Sequence, residues 1–505
     1  MNFKRGTLYT EDMIKSEQLF LNSLSNCINN PTLKQFPKDK TPIGHFSTLN
    51  YGVNKGEKVP IELKNRLEAK IDSNLLNIDL NCVDYRTDVV IVGSGGAGLS
   101  AAIQAAECGA NVLVLTKDKG YCNTVLAQGG IQAVTEPDDS LEQHLEDTLK
   151  GGHYKGKKEL VEKLVYEAPE TLLWLQNLGV EFKEKPIIPG GSTKKRLHTI
   201  GDNTGANIMK ALVKKVDELR NKITIIKYAD AQEILKDENG FASGIVFKQE
   251  DGYKVVQSKS VILATGGSGS LCYNNLNTSN CKGSTADGLE MAYHAGAKLV
   301  DPGSIQYHPT GGAYPINFCG KLVSEKARSL GALLFNSKGE ALQSVGNRDD
   351  IVRLILAEEA HGNAIKTPDG NNGIWLAIPM IDKIHGEGTI EKRLPSLFKK
   401  YQSEEIDIRK HAILIYPTVH YHLGGIDIDT KGMSSVPNLF AVGEVSGGID
   451  GDNRLMGNAL ASIIVYGRTA GKEATEIAKK RNFSKTLSLD YLIDSNLIES
   501  KNLTR

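Results

Sequence analysis

The stretch "YPTVHYHLGGIDID", residues 416–429, sets His420 and His422 one residue apart ahead of two glycines. On a strand, side chains alternate between faces, so both imidazoles point the same way. Such a pair serves as half of a metal site, as a grip on a substrate, or as packing. A tetrahedral metal centre needs a third and a fourth ligand, and no nearby spacing supplies them, so no metal is expected. A second stretch, "DVVIVGSGGAGLSAAIQAAECGANVLVLTK", runs from 88 to 117. Gly93, Gly95 and Gly98 fit G-x-G-x-x-G, with Ser94, Gly96 and Ala97 completing the turn. In that motif the first glycine permits the tight turn, the second admits a pyrophosphate to the backbone, and the third allows close helix–strand packing. The helix N-terminus that follows offers free N–H groups and the positive end of its dipole to phosphates.

The elements around these residues read as buried strand, glycine turn, small-residue helix and second buried strand, a βαβ unit that binds a dinucleotide. The second strand ends in Thr116 and Lys117, where an acid for a ribose hydroxyl is usual. "SKSVILATGG", 258–267, is another buried strand running into glycines, and it contributes Ala264, Thr265 and Gly266. "NLFAVGEVSGG", 438–448, has the same character. Residues 312–415 between them form a mixed segment with helices of its own, such as "RDDIVRLILAEEAH". The expected fold is therefore α/β: a Rossmann-like dinucleotide-binding domain in two parts, 81–311 and 416–480, interrupted by an α+β capping domain at 312–415. Residues 1–80 read as a polar N-terminal extension with an amphipathic helix near 9–25, and 481–505 as a short tail with no C-terminal helical domain.

Lysine plus arginine equals aspartate plus glutamate at 60 each, so the basic field of a nucleic-acid binder is missing. Seven scattered cysteines without a Cys-x-x-Cys pair argue for reduced thiols and against an iron–sulfur cluster held by this chain. The first residues lack the apolar core of a signal peptide, and no stretch reads as an integral membrane segment. A cytoplasmic enzyme is the expectation. The charged face of "KKELVEKLVYEAPETLLWL" reads as solvated surface with Trp174 in the core, and Lys194, Lys195 and Arg196 read as a surface loop.

Taken together, these motifs resemble the flavoprotein family of succinate dehydrogenase, fumarate reductase and L-aspartate oxidase over about residues 85–475. The pattern is most similar to that of soluble fumarate reductase flavoproteins. "NTVLAQGGI", 123–131, looks like the segment along the isoalloxazine ring, which implies flavin contacts for Asn123, Thr124, Ala127, Gln128, Gly129 and Gly130. The Thr116–Lys117 end is itself typical of this family. The resemblance further implies cofactor contacts for Asp287, Glu444 and the Asn458, Ala459, Leu460 stretch. A histidine stands at the position of Asn123 in covalently flavinylated members. An amide cannot form that bond, so FAD is expected to be non-covalent.

"QYHPTGG" at 306–312, "LVSEKARSLGA" at 322–332, "GNRDD" at 346–350 and "GDNRLMGNAL" at 451–460 complete the resemblance. In relatives these segments converge over the flavin. By position, His308, Ser324, Glu325, His420 and Arg454 grip the two carboxylates of a small dicarboxylate substrate. Arg348 matches the proton donor, with Glu325 and Arg328 as the relay behind it. His422 falls at a variable position and reads as packing, and "RLHTIGDNTGA" at 196–206 brings His198 near the site. Two departures stand out: the usual His-Gly-x-Asn-Arg reads Asp450-Gly451-Asp452-Asn453-Arg454, and Gly-Ser-Asn-Ser reads Met456-Gly457-Asn458-Ala459. The implied activity is hydride transfer between FAD and fumarate or its reverse. L-aspartate oxidation and a flavin electron-transfer role within a larger complex stand as alternatives. A separate electron-donor protein or subunit is compatible with each.

Overall fold

A computed structural model describes residues 8–497 apart from 23, 30–31, 39–42, 118–121, 183–184, 202 and 496. The end of the sequence-defined tail, from 498, lies outside the described residues. The chain divides into two compact units. The larger comprises 44–273, 280–305 and 421–505; the smaller comprises 1–43, 274–279 and 306–420.

The larger unit is built on a seven-stranded sheet. Tyr85–Val92 lies parallel to Val112–Thr116 on one side and to Gly252–Leu263 on the other, and Leu439–Ala441 extends the parallel set. The register aligns Val92 with Leu115 and Leu263, and Leu263 with Ala441. The carboxyl ends of these strands therefore line up, and the turns after them carry Gly93, Thr116, Ala264 and Val442. That edge is where open α/β sheets bind ligands. Runs such as Val89–Val92 are buried almost completely, as strands covered on both faces must be. Two helices, Gly96–Glu107 and Asn458–Lys480, pack against each other backbone to backbone. A Cβ on Gly467 would lie 2.7 Å from the Ala97 carbonyl oxygen, and one on Gly471 would lie 2.3 Å from that of Ala101. Residues 71–83 and 487–497 close a satellite core against Leu235, Val246 and Val255.

The smaller unit is built on a six-stranded sheet with helices around it. Ile413–His422 is flanked by Ile305–Tyr314 and Asn372–Leu376, followed by Leu334–Phe335 and Ala341–Leu342. Its core centres on Trp375, and the N-terminal residues are part of it. The helix Glu11–Leu21 starts at Thr10, whose hydroxyl accepts the Met13 N–H at 3.2 Å. Met13, Ser16 and Phe20 recur at helical spacing and face inward. Phe20 stacks on Phe335 at 4.2 Å, and Ser16 accepts the Trp375 indole N–H at 3.0 Å. The segment read as one extension, 1–80, is thus divided: its beginning belongs to the smaller unit and 44–80 to the larger.

Candidate active site

In the larger unit the glycine turn behaves as its sequence demands. Gly93 has a φ of +111°, and a Cβ there would strike the Ala264 carbonyl oxygen at 2.2 Å. A Cβ on Gly98 would lie 1.9 Å from the Gly93 oxygen, so helix and strand pack with no room for a side chain. Gly95 differs. Among the described residues its Cβ would find nothing nearer than Cys122 at 3.8 Å, which leaves the backbone open to a ligand. No side chain caps the helix Gly96–Glu107, whose first N–H meets only the Thr124 hydroxyl at 3.2 Å. Ser94 donates to Thr116 at 2.9 Å, and Lys117 pairs with Asp287 and donates to Thr285 at 2.7 Å. The acid missing from the strand end is therefore replaced by a cation whose partner comes from the helix Asp287–His294.

Asn123 is fully engaged. Its Nδ2 lies within 2.7 Å of Asn280 Oδ1, 2.9 Å of Ser284 Oγ and 3.1 Å of Glu444 Oε2, and its Oδ1 accepts the Cys281 N–H at 2.8 Å. Glu444 also accepts the His422 N–H at 3.0 Å, and burial pushes its carboxyl above the usual range. Ala127 O accepts the Gly205 N–H at 2.9 Å; Gly130, at φ +100°, turns the chain beside the His198 carbonyl; Gln128 is half-buried and Gly129 abuts Met456. Ala264 N–H donates to the Val92 carbonyl at 2.8 Å, and Gly266 turns the chain at φ +77° ahead of Thr285 and Asp287. Gly457, at φ +97°, begins the helix Asn458–Lys480 with no side-chain cap, leaving a second uncapped helix N-terminus at Asn458, Ala459 and Leu460. Uncapped amides, an open glycine backbone and no acid at the glycine turn fit the pyrophosphate of a dinucleotide and the carbonyl-bearing, hydrogen-bond-accepting edge of a flavin.

The smaller unit holds the acid–base candidates. Glu325 accepts Arg348 Nε at 3.2 Å and Nη2 at 2.9 Å, and its other oxygen accepts Arg328 Nη2 at 2.9 Å. Burial alone would raise the Glu325 carboxyl; the two guanidiniums override it and hold it at about 2. Arg328 is anchored by the Ser344 carbonyl at 2.8 Å, and Arg348 Nη1 donates to Gln306 at 2.9 Å. His308 and His420 meet edge to face, 5.1 Å between ring centres, and Ser279 lies 2.8 Å from His420 Nδ1. The Thr310 N–H orients His308 from 3.2 Å. Ser324 accepts the Lys326 N–H at 3.3 Å. This unit thus gathers Arg348, Glu325, Arg328, His308, His420 and Ser324, whereas Arg454 belongs to the larger unit.

Gln306 and Ser279 are absent from the sequence candidates. Strand alternation places Gln306 on the face of His308, which is the signal for it; nothing local points to Ser279. His422 is packing: it is buried between Ser268 Oγ at 2.6 Å and the Pro302 carbonyl at 3.0 Å, and burial lowers it to about 4. His198 is likewise tied to the Ala133 carbonyl at 3.1 Å, and burial lowers its pKa. Arg196 corrects the surface-loop reading: its side chain is fully buried and paired with Asp139 at 2.7 Å and Asp147 at 2.6 Å. Trp174 is half-buried rather than core, with the Arg468 guanidinium 5.2 Å over its ring. Among the described residues, no helix is long and apolar enough to cross a membrane.

The family model described as FAD binding domain matches residues 88–460. This chain belongs to that family. Among relatives of this FAD-binding chain, one component of the fumarate reductase (CoM/CoB) of Methanothermobacter marburgensis is 34% identical, the match covering 78% of this chain and 73% of the relative. The fumarate reductase flavoprotein subunit of Mycobacterium tuberculosis is 32% identical over 79% of this chain and 71% of its own. Among solved structures, a mutant of the E. coli quinol fumarate reductase matches with a TM-score of 0.72 and 29% identity, covering 81% of this chain and 73% of that one. The chain is an FAD-dependent oxidoreductase of the fumarate reductase and succinate dehydrogenase type.

Proposed function

We propose that this enzyme reduces fumarate, or a similar small unsaturated dicarboxylate, to the saturated acid. When bound, FAD supplies a hydride from N5 to one alkene carbon. Everything else falls to the protein. Negative charge develops toward the carboxylate conjugated with the second carbon, so preorganised cations and donors are the main catalytic tool. Within the smaller unit, His308, His420 and Ser324 take a carboxylate of the substrate; the planar fork of Arg454, in the larger unit, is suited to a carboxylate through two parallel bonds. Arg348 gives the proton to the second carbon. Arginine's ordinary pKa above about 12 does not forbid this, because a carbanion-like centre is more basic still. Glu325, ionised between Arg348 and Arg328, returns the proton through the relay.

The observation that carries the reading is the continuous Arg348–Glu325–Arg328 chain, hydrogen-bonded at each link with both arginines buried. A carboxylate between two arginines, one of them bonded to Gln306 on the strand that carries His308, suits proton delivery to a bound dianion better than storage of a structural charge. We further assign FAD to non-covalent binding, since the Asn123 amide is spent on Asn280, Ser284, Glu444 and Cys281. Acid precipitation of the protein should release all of its flavin. The donor of reducing equivalents is a separate protein or subunit, in keeping with the names of the relatives, and the compartment is the cytoplasm.

The decisive experiment is to reduce the flavin without oxygen and add fumarate. Rapid return of the yellow colour is expected, with stoichiometric succinate. Bleaching of the oxidised protein by L-aspartate, with peroxide formed in air, would assign an oxidase instead. Silence toward both acids would sink the proposal.

A further inference from the structure

Residues 32–38, TLKQFPK, precede the FAD-binding match, which begins at 88. They lie in the smaller unit, together with the acid–base residues. Lys34 joins the sheet there: its N–H donates to the Ala341 carbonyl at 3.0 Å, and its own carbonyl accepts the Gln343 N–H at 3.1 Å. The segment thereby runs parallel to Ala341–Leu342, the last strand of that sheet. The ammonium of the same residue reaches Glu340 at 2.7 Å and both carboxylate oxygens of Glu358 at 3.1 Å. Glu340 precedes the strand, and Glu358 is buried on the helix Arg348–Ala360. One lysine thus ties strand to helix, and the loop 343–347 connects the two. Two residues on, Phe36 covers that loop: a Cβ on Gly346 would lie 2.8 Å from the Phe36 Cζ, so ring and backbone are in direct contact.

This loop serves both arginines of the relay. The Ser344 carbonyl accepts Arg328 Nη1 at 2.8 Å, and Arg348 is the first residue of the helix that the loop leads into. Among the described residues no side chain caps that helix, so the direction of its first turn is left to the loop. Val345 and Gly346 are exposed and bury little apolar surface of their own to hold them. A strap needed only for stability would cover core side chains, as Phe20 does on Phe335. Lys34 and Phe36 instead meet the segment that aims the two guanidiniums. Resting on the role of Arg348 argued above, we propose that Lys34 and Phe36 are positioning residues, holding the loop 343–347 so that Arg348 and Arg328 keep the orientation proton delivery requires. A misplacement of about 1 Å at a positioned group costs up to about a hundredfold in rate. The side chains that grip the substrate carboxylates are untouched by it, so the loss falls on turnover and not on binding.

The test reads amide hydrogen exchange and fumarate turnover on the same holoproteins. Lys34→Met removes both ion pairs while keeping the aliphatic stem, and Phe36→Ala uncovers the loop. Each should speed exchange at the amides of 343–348 and lower kcat about tenfold or more, with KM for fumarate and flavin content unchanged. Lys34→Arg keeps the positive charge between the two carboxylates and should recover most of the lost rate. Phe20→Leu is the control: it loosens the same N-terminal segment through its stack on Phe335, so the melting temperature should fall while kcat and exchange at 343–348 stay native. Should Lys34→Met fail to fold, Phe36→Ala carries the test, since its ring is partly exposed. Native kcat in the folded variants, a loss confined to KM, or an equal loss of kcat in Phe20→Leu would overturn the inference. If Arg348→Ala turned over fumarate at the native rate, or the native protein did not reduce it at all, the assignment of Arg348 would itself fail, and this inference with it.

Discussion

Arg348 places both Nε and Nη2 on one oxygen of Glu325, at 3.2 and 2.9 Å. Its third nitrogen goes to Gln306, so the guanidinium plane is set from two sides. A flexible acid would waste its proton on solvent; one locked in this way presents it in a fixed direction. Replacing Arg348 by Ala should therefore lower fumarate turnover by at least about a hundredfold, the usual worth of a positioned general acid, while flavin content stays unchanged. Gln306→Ala should lower turnover by less, since one of the two supports remains. Steady-state rates beside the flavin absorbance of each purified variant check both outcomes.

Glu325 contributes to stability at the acid end of the pH range. Its folded pKa of about 2 lies below the ordinary 4.5, so it contributes stability that is complete above 4.5 and lost as pH falls toward 2. Glu325→Gln should lower the melting temperature at neutral pH, because two buried guanidiniums lose their anion. The gap between variant and native protein should close as pH drops through that window. Thermal melts at a series of pH values give the answer, and a gap that is constant down to pH 2 would contradict it.

Motifs whose function depends on their immediate neighbours were legible in the sequence. Gly93, Gly95 and Gly98 could be placed because a tight turn and a close helix are local demands. The Arg348–Glu325–Arg328 chain came through family likeness, not through spacing, since 23 residues separate Glu325 from Arg348. What escaped depends on distant partners. Arg196 sits among charged residues that look solvated, yet Asp139 and Asp147 come from 57 and 49 residues away to bury it. Phe20 gives no hint that Phe335 will stack on it, so the chain's beginning read as an appendage. Gly467 and Gly471 lie four apart on a helix whose partner is fixed only once Ala97 and Ala101 are in place.

The two glycines at 95 and 98 should fail in different ways. Gly98→Ala sets a methyl 1.9 Å from the Gly93 carbonyl oxygen, and neither backbone segment has slack to yield. That variant should be insoluble or markedly destabilised. Among the described residues, Gly95→Ala meets no atom closer than 3.8 Å. The chain should fold normally, with native circular dichroism, and its flavin should be lost or weakly held, because the methyl stands where the pyrophosphate approaches. A Gly95→Ala protein that keeps stoichiometric FAD would place the phosphates elsewhere.

Arg196 offers a test of how the loop around Thr193 is held. Its Nε and Nη2 bind Asp139 at 2.8 and 2.7 Å, while Nη1 binds Asp147, which also takes the Thr193 N–H at 2.9 Å. Asp147 belongs to the helix Leu141–Gly151, and the same helix sends Thr148 to Asn458 at 3.2 Å. Loss of the arginine leaves two carboxylates facing each other in a buried space, which costs about 3–5 kcal/mol when one partner of such a pair is removed. Arg196→Met should therefore lower the melting temperature sharply and loosen flavin through the Thr148–Asn458 link. Arg196→Lys should recover little of either, because an ammonium cannot reach Asp139 and Asp147 with the same planar fork. If the lysine variant matched the native protein in both melting temperature and flavin content, the network would be acting as diffuse charge and not as a hydrogen-bonded strut.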